Sequence, residues 1–100
     1  MTTLDLNSII ALVLIKKENF RDSYSLTKVL AWKFGIITVS DIIIELEDSA
    51  LISRVINNGI SKYNLTSTGL EYVEANKGEI TFLLLKKFKD EQGFIESLLK

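Results

Sequence analysis

The chain has 100 residues, 47% of them hydrophobic, with 12 basic and 13 acidic residues and a net charge of −1. This length predicts one domain with ample material for a core, and the near-neutral charge lacks the basic excess of a dedicated nucleic-acid binder. The absence of cysteine and histidine excludes a disulfide framework, a thiol nucleophile and thiolate or imidazole metal ligands.

The hydrophobic residues do not form a membrane segment. The longest apolar run covers residues 9–15, whereas a membrane-spanning helix needs about 20 residues. The first residues carry Asp5 and lack the basic start of a signal peptide. We therefore expect a soluble, cytoplasmic protein.

The first predicted element is a helix over residues 6–18, capped by Asn7 or Ser8. Residues 9–15 are apolar on every face, so the helix must be buried on more than one side. One side would face its own domain, and the other would face a further element or a second subunit. A strand is the alternative, because β-branched residues are frequent here. The flanking residues extend the pattern to helix length and favour the helix.

A turn over residues 19–23 leads to a second predicted helix, which starts at Tyr24 or Ser25 and ends at about Phe34. Its inward stripe is Leu26, Val29, Leu30, Lys33 and Phe34. Gly35 then provides a left-handed helix end. The aromatic residues around this helix are predicted to form the core and its rim, with a ligand pocket under the helix as the alternative: Phe20, Tyr24, Trp32 and Phe34.

A third helix is predicted over residues 38–48, capped by Thr38 or Ser40. Its buried stripe is Val39, Ile42, Ile43 and Leu46. A hairpin follows, because Asn58-Gly59 suits a type I′ turn, which needs positive φ at both central residues. That turn places Ile52 opposite Leu65 and Arg54 opposite Tyr63.

The remaining residues predict two more helices. The fourth starts after Thr66 or Ser67 and runs to about Asn76, with Leu70 and Val73 pointing inward and Gly78 as its stop. The last covers residues 79–100, with Lys100 suited to its C-terminus by charge. Its apolar face is Ile80, Leu83, Leu84, Phe88, Ile95, Leu98 and Leu99. Gly93 marks the place where a kink or break would fall.

Two strings in this layout resemble a known superfamily. Residues 24–30 read Tyr-Ser-Leu-Thr-Lys-Val-Leu, and residues 63–69 read Tyr-Asn-Leu-Thr-Ser-Thr-Gly. With the helix at 38–48 between them, residues 7–76 resemble the winged helix-turn-helix superfamily, most like small PadR-like or MarR-like bacterial regulators. The resemblance implies a mainly α fold with a small β-hairpin wing (α+β). Residues 1–78 would form the winged-helix domain, and residues 79–100 a C-terminal helix for packing or dimerisation.

One position departs from the superfamily pattern. These families usually carry glycine just before the wing, where this chain has Ser49 and Ala50. A left-handed residue there would cost about 1–2 kcal/mol. A helix end shifted by one residue is the alternative.

The resemblance implies a transcriptional regulator with helix 3 in the DNA major groove, contacting DNA through Lys28, Ser40, Arg54 and Lys62. The charges of helix 3 oppose this, because residues 38–48 hold four acids and no base. Such a face repels phosphates and offers no cation to guanine. The alternative is a protein-interaction module that uses Asp41, Ile44, Glu45 and Asp48. A solvated acidic face with one isoleucine is the third interpretation.

Two apolar helices also predict a homodimer. Helix 1 and the last helix carry more apolar residues than one face of each can bury, and PadR-like proteins, which this chain resembles, dimerise through terminal helices. The predicted interface is Ile9, Leu12, Val13, Leu84, Phe88 and Ile95. The alternative is a monomer whose last helix packs on helix 1.

We predict no enzyme, no metal site and no cofactor. The carboxylate pairs at helical spacing, Asp41/Glu45 and Glu71/Glu74, lack the further ligands that a hard cation needs, so solvated pairs are expected. The serines have no histidine to activate them, and no glycine-rich phosphate loop occurs.

Overall fold

The computed structural model describes residues 4–99. Residues 1–3 of the predicted domain and Lys100 of the predicted last helix lie outside them. The described residues form mainly helices with one antiparallel hairpin, which confirms the α+β class at that level. The elements, in chain order, are α1 Leu6–Lys16, a 3₁₀ turn Glu18–Phe20, α2 Ser23–Phe34, α3 Val39–Asp48, β1 Ile52–Asn57, β2 Ile60–Leu65, α4 Ser67–Ala75, α5 Lys77–Lys87, a 3₁₀ turn Lys89–Glu91, and α6 Gln92–Leu98.

Helix α1 is the centre of the core. Residues 9–15 are almost completely inaccessible to solvent, and α1 contacts all five other helices and β2. The helix assignment is therefore confirmed, and burial on every side is achieved within one chain. The predicted caps were wrong: Asp5 is the N-cap, and its side chain accepts a hydrogen bond from the Ser8 backbone N–H at 2.8 Å.

Helix α2 begins at Ser23, one residue before the earliest predicted start, because Asp22 caps it by accepting from Ser25 N–H at 2.9 Å. It ends at Gly35, whose φ of +66° confirms the predicted left-handed end. Of its predicted inward stripe, Leu26, Leu30 and Phe34 are buried and Val29 is half-buried, but Lys33 is exposed, so its inward position was wrong. In α3, Ile42, Ile43 and Leu46 are buried as predicted, and Val39 is half-buried.

The hairpin has the predicted turn and register. Asn58 and Gly59 have φ of 54° and 77°, as a type I′ turn requires. Ile52 pairs with Leu65, and Arg54 pairs with Tyr63. The other edge of β2 is also engaged: Tyr63 N–H donates to the Arg21 carbonyl at 2.8 Å, so part of the predicted turn at residues 19–23 extends the sheet.

The junction between α3 and β1 has a left-handed residue without glycine. Ala50 has φ of 59°. Its N–H donates to the Glu47 carbonyl, and Leu51 N–H donates to the Leu46 carbonyl, both at 3.0 Å. This pair of bonds is a Schellman helix end with Ala50 at its left-handed position. The first of the two alternatives at Ser49-Ala50 is therefore the observed one.

Helix α4 is attached to that junction through Thr66 and Gly69. The Thr66 hydroxyl accepts from Gly69 N–H at 3.0 Å and donates to the Ala50 carbonyl at 2.6 Å. The Thr66 N–H donates to the Leu51 carbonyl at 3.1 Å. A Cβ on Gly69 would lie 2.0 Å from that Leu51 oxygen. The glycine of the 63–69 string is therefore required by close packing.

The C-terminal third differs most from expectation. Leu70 was predicted to point inward but is 45% exposed, because the inner side of α4 is taken by Gly69 and Val73. Gly78 does not stop α4. The helix ends at Ala75, and Gly78 lies in the first turn of α5. The break in the last segment falls at Phe88, with φ of −122° and ψ of 65°, whereas Gly93 lies inside α6.

Helices α5 and α6 complete the core around α1. Their buried residues Ile80, Leu84, Ile95 and Leu98 belong to the same apolar cluster as α1. Within residues 4–99, no helix is long and apolar enough to cross a membrane.

Candidate interaction surface

Several residues of α3 and of the loop before it are exposed to solvent. Ser40, Asp41, Ile44 and Asp48 are exposed, as expected, and Ile44 keeps 54% of its surface accessible. Ile37, in the loop before α3, is 85% exposed. On α3, Ser40 and Asp41 lie four and three residues before Ile44 and Asp48 lies four residues after it, which places all three next to Ile44 on the helix surface. We call Ile37, Ser40, Asp41, Ile44 and Asp48 the α3 surface.

The outward position predicted for Glu45 was wrong in part, because Glu45 is half-buried, as is Glu47. Glu45 accepts a hydrogen bond from the buried Ser8 hydroxyl at 3.2 Å, so it ties α3 to α1. Glu47 forms an ion pair with Arg54 of β1. The free acids of α3 are therefore Asp41 and Asp48, at its two ends.

A groove of about 470 Å³ lies beside the α3 surface, between α2, α3 and the hairpin. Its floor and walls mix apolar and small polar side chains: Ser23, Thr27, Ile37, Val39, Ser40, Ile43, Ile44, Arg54 and Tyr63. The groove brings Ile37 and Ile44 together. The sequence pattern singled out Ile44 but not Ile37. An apolar residue directly before a helix cap was the signal for it.

The aromatic residues in and before α2 lie on different sides of the helix, some toward the core and some toward solvent. Phe34 is buried and Phe20 half-buried, as expected for core and rim, but Tyr24 and Trp32 are 73% and 78% exposed. Lys28 lies between them, with its Nζ 4.5 Å from the Trp32 ring centre and 5.9 Å from that of Tyr24. The core assignment of Tyr24 and Trp32 was therefore wrong. The spacing of four residues places these three side chains in a row on the outside of α2.

The four residues predicted for DNA contact do not form one basic surface. Arg54 pairs with Tyr63 across the hairpin, whereas Lys62 pairs with Val55. Neighbouring pairs face opposite sides of a sheet, so the two cations point away from each other. Arg54 is neutralised by Glu47, Lys28 lies between two aromatic rings, and Ser40 lines the groove.

Lys62 has an acid beside it as well. The backbone N–H of Ser25 lowers the pKa of the Asp22 carboxyl, and the nearby Lys62 ammonium lowers it further. Asp22 and Lys62 also form a backbone bridge. An acidic side chain therefore stands near Lys62.

The predicted dimer interface lies in the core of the single chain. Ile9, Leu12, Val13, Leu84 and Ile95 are 6% exposed or less. Phe88 is half-buried and packs edge-on against Phe34, with ring centres 4.9 Å apart. The five buried positions were wrong, because α5 and α6 of the same chain cover α1. A homodimer remains a prediction, but it needs another surface.

In each of the two carboxylate pairs, one carboxylate bonds to a residue outside the pair. Glu45 bonds to Ser8, and Glu74 binds Lys16 Nζ at 2.7 Å. The hydrogen bond and charge of Lys16 lower the pKa of Glu74. Between residues 4 and 99, no group of three or more potential ligands is placed to hold a metal ion.

Comparison with known proteins gives no match. No protein-family model matches the chain. The curated proteins contain no significant match either. Among solved structures, none matches significantly.

Proposed function

We propose that this chain is a winged-helix protein whose α3 surface binds another protein. In this proposal α2 and α3 are the helix-turn-helix, β1 and β2 are the wing, and the place of the recognition helix is occupied by a protein-binding helix. The partner would be a segment with apolar anchors for Ile37 and Ile44 and with lysine or arginine beside them.

The order of elements supports the winged-helix scaffold. Two helices are followed by a third, then by a tight hairpin and a fourth helix. The segment between the first two helices adds backbone bonds to the far edge of the hairpin through Arg21 and Asp22. Thr66 and Gly69, which end the 63–69 string, hold the fourth helix against the start of the wing.

The observation that carries the choice of a protein partner is the exposure of Ile37 and Ile44 in one groove. Isoleucines are costly to leave in water, at about 25 cal/mol per Å² of apolar area. Adjacent exposed apolar residues with a polar rim are typical of protein interaction sites. Asp41 and Asp48 flank Ile44 at helical spacings of three and four residues, and they would attract a basic segment and slow the approach of an acidic one.

A DNA-binding transcriptional regulator is the second candidate, because the winged-helix families that the chain resembles read DNA. A regulator of this kind would insert the α3 surface into the DNA major groove, which is lined by phosphates. Asp41 and Asp48 oppose that approach, and Arg54 would have to leave Glu47 to reach a phosphate. Lys28 and Lys62 remain the cations that this candidate would use.

A salt titration separates the two candidates. Fluorescence anisotropy with a labelled random duplex, at about 20 mM and then about 200 mM salt, measures the electrostatic component. We expect no binding at either salt concentration. Tight low-salt binding that weakens steeply with salt, and weakens further in Arg54→Ala and Lys62→Ala, would establish the DNA-binding candidate instead.

Selection from a displayed peptide library tests the protein-binding proposal directly. We expect enriched peptides to combine apolar anchors with lysine or arginine and to lose at least about tenfold in affinity for Ile44→Asp, a change of about 1.4 kcal/mol. Phe82→Asp is the matched control, since Phe82 is a similarly exposed apolar residue on α5. Peptides that lose as much affinity for Phe82→Asp, or that are acidic, would contradict the proposal.

A further inference from the structure

The hairpin has one occupied edge and one free edge. β2 pairs with β1 on one side and contacts Arg21 and Asp22 on the other. Within the described part of the chain, β1 pairs with β2 alone. The outer edge of β1 therefore presents backbone donors and acceptors to solvent.

The register identifies the residues whose backbone groups face this free edge. Next to a two-residue turn, the flanking residues Asn57 and Ile60 form a hydrogen-bonded pair, and such pairs recur at every second position. Val55 therefore directs its backbone groups toward β2, while Arg54 and Ile56 direct theirs outward. Tyr63, opposite Arg54, likewise directs its N–H away from β1 and donates it to Arg21.

The free edge is accessible and lacks the usual protection. After Ile52, every residue of β1 is exposed, including Val55 at 51% and Ile56 at 67%. Edge strands are normally protected by lysine, proline, bulges or a covering segment. β1 contains neither lysine nor proline, and the charge of its one arginine is balanced by Glu47.

We propose that β1 pairs with β1 of a second copy of this chain, antiparallel and centred on Val55. The outward-facing residues Arg54 and Ile56 are placed symmetrically about Val55. A twofold axis there puts Arg54 of each copy opposite Ile56 of the other, and each such pair exchanges both backbone hydrogen bonds.

The side chains fit this arrangement without opposing like charges directly. Val55 faces the Val55 of the second copy in a non-hydrogen-bonded pair, where apolar side chains approach closely. Ser53 faces Asn57. The strand is thus complementary to itself, which favours a second copy over an unrelated strand. This interface uses neither the buried positions first predicted for the dimer nor the residues of the α3 surface.

Disulfide trapping tests the pairing. The chain has no cysteine, so one introduced cysteine can form a disulfide only between two copies. In the proposed dimer the two residues at position 55 have Cα atoms about 4.5 Å apart, within disulfide range, so Val55→Cys should cross-link at least about tenfold faster than a collision-limited control.

Ile60→Cys is that control. Ile60 has the same exposed fraction as Val55, 51%, but lies on β2 beside Asn57. The two copies would hold it roughly 20 Å apart, because three strand spacings separate the residues sideways and four residues separate them along the strands. Equal cross-linking rates for Val55→Cys and Ile60→Cys would overturn the proposal, because exposure alone would then explain the reaction.

Charge pairs provide a second measurement that does not depend on a disulfide. The wild-type chain should sediment as a dimer, and Val55→Lys and Val55→Glu should each sediment as monomers, because like charges directly opposite destabilise a strand pair. Mixing the two variants should restore a dimer. A monomeric wild type, a dimer that persists in Val55→Lys, or a mixture that stays monomeric would each overturn pairing at Val55. Circular dichroism of each variant confirms that the exposed substitution leaves the fold intact.

Discussion

Replacing Gly69 with alanine should destabilise the protein far more than a glycine-to-alanine change in a helix ordinarily does. The new Cβ would lie 2.0 Å from the Leu51 carbonyl oxygen and 3.0 Å from its carbon. Both atoms belong to the backbone, so no side chain can rotate away. The first turn of α4 and the α3–β1 junction must therefore separate by about an ångström. This is overpacking, in which an added group has no free space in a well-packed core.

The magnitude follows from the contacts that hold this junction. Overpacking costs about 1–3 kcal/mol. The separation also strains the Thr66 cap, worth about 1 kcal/mol, and the bond from Thr66 N–H to the Leu51 carbonyl, worth about 1 kcal/mol. Alanine recovers about 1 kcal/mol through its better helix propensity. The expected net loss in unfolding free energy is therefore about 2–4 kcal/mol.

Urea and thermal unfolding followed by circular dichroism at 222 nm measure this loss. Trp32 fluorescence is a weaker probe, because its ring is already 78% exposed in the folded state. For a domain of this size each kcal/mol lowers Tm by about 4–8 °C. Gly93→Ala is the control, since a Cβ there meets no atom within 4 Å, and it should be neutral or stabilising. Equal stability of Gly69→Ala and Gly93→Ala would refute the close approach of Leu51 to α4.

Three further changes are predicted from the same structure. Ala50→Gly should raise the unfolding free energy by about 0.5–1 kcal/mol, because removing the strain of φ +59° outweighs the added unfolded-state entropy. Urea unfolding will measure this, and a destabilised variant would contradict it. Trp32→Ala should change stability by less than about 0.5 kcal/mol, whereas Leu30→Ala should cost about 2–5 kcal/mol. Comparable losses would contradict the outward orientation of Trp32. Asp22→Asn should retain the helix cap and reduce acid sensitivity. The lowered pKa of Asp22 means that its stabilising charge is complete above the ordinary carboxyl value and is lost as pH falls through the folded pKa. The wild type should therefore keep its advantage over Asp22→Asn above the ordinary carboxyl pKa of about 4 and lose it as the pH falls below that value, as measured by unfolding from neutral pH into that acidic range.

The features that sequence predicted best are those decided by one or two residues. The turn at Asn58-Gly59 requires positive φ at both positions. This turn then determines which residues pair along the hairpin. Gly35 ends α2 for the same local reason. At Ser49-Ala50 the same reasoning left two alternatives, because alanine permits a left-handed conformation only at a cost.

The features that sequence missed are those decided by packing between distant segments. The last helix breaks at Phe88, where that ring packs against Phe34 of α2, and not at Gly93, which a short helix tolerates near its start. The apolar surface of α1 was recognised correctly as needing cover on several sides. Sequence left open whether a second subunit or the last helix of the same chain supplies that cover, and the structure shows α5 and α6 packing on α1.

The orientation of Trp32 was available from the sequence. Leu30 and Phe34 belong to the buried stripe, and Trp32 lies two residues from each, about 200° around the helix from either. Grouping the aromatic residues by type concealed this. The outward direction of Trp32 and Tyr24 follows from helical geometry and does not need the tertiary structure.

The two proposed surfaces lie on adjacent elements and have consequences for each other. Glu47 on α3 binds Arg54 on β1, so the ion pair joins the helix that carries the α3 surface to the strand that would pair with a second copy. A dimer through β1 would carry two α3 surfaces related by one twofold axis. A partner that contains two basic, apolar segments on a suitable linker would then bind with an avidity about 10²–10⁴-fold above that of one segment. The Val55→Lys variant should lose that gain while keeping its affinity for a single peptide, which separates the contribution of the strand edge from that of the helix surface.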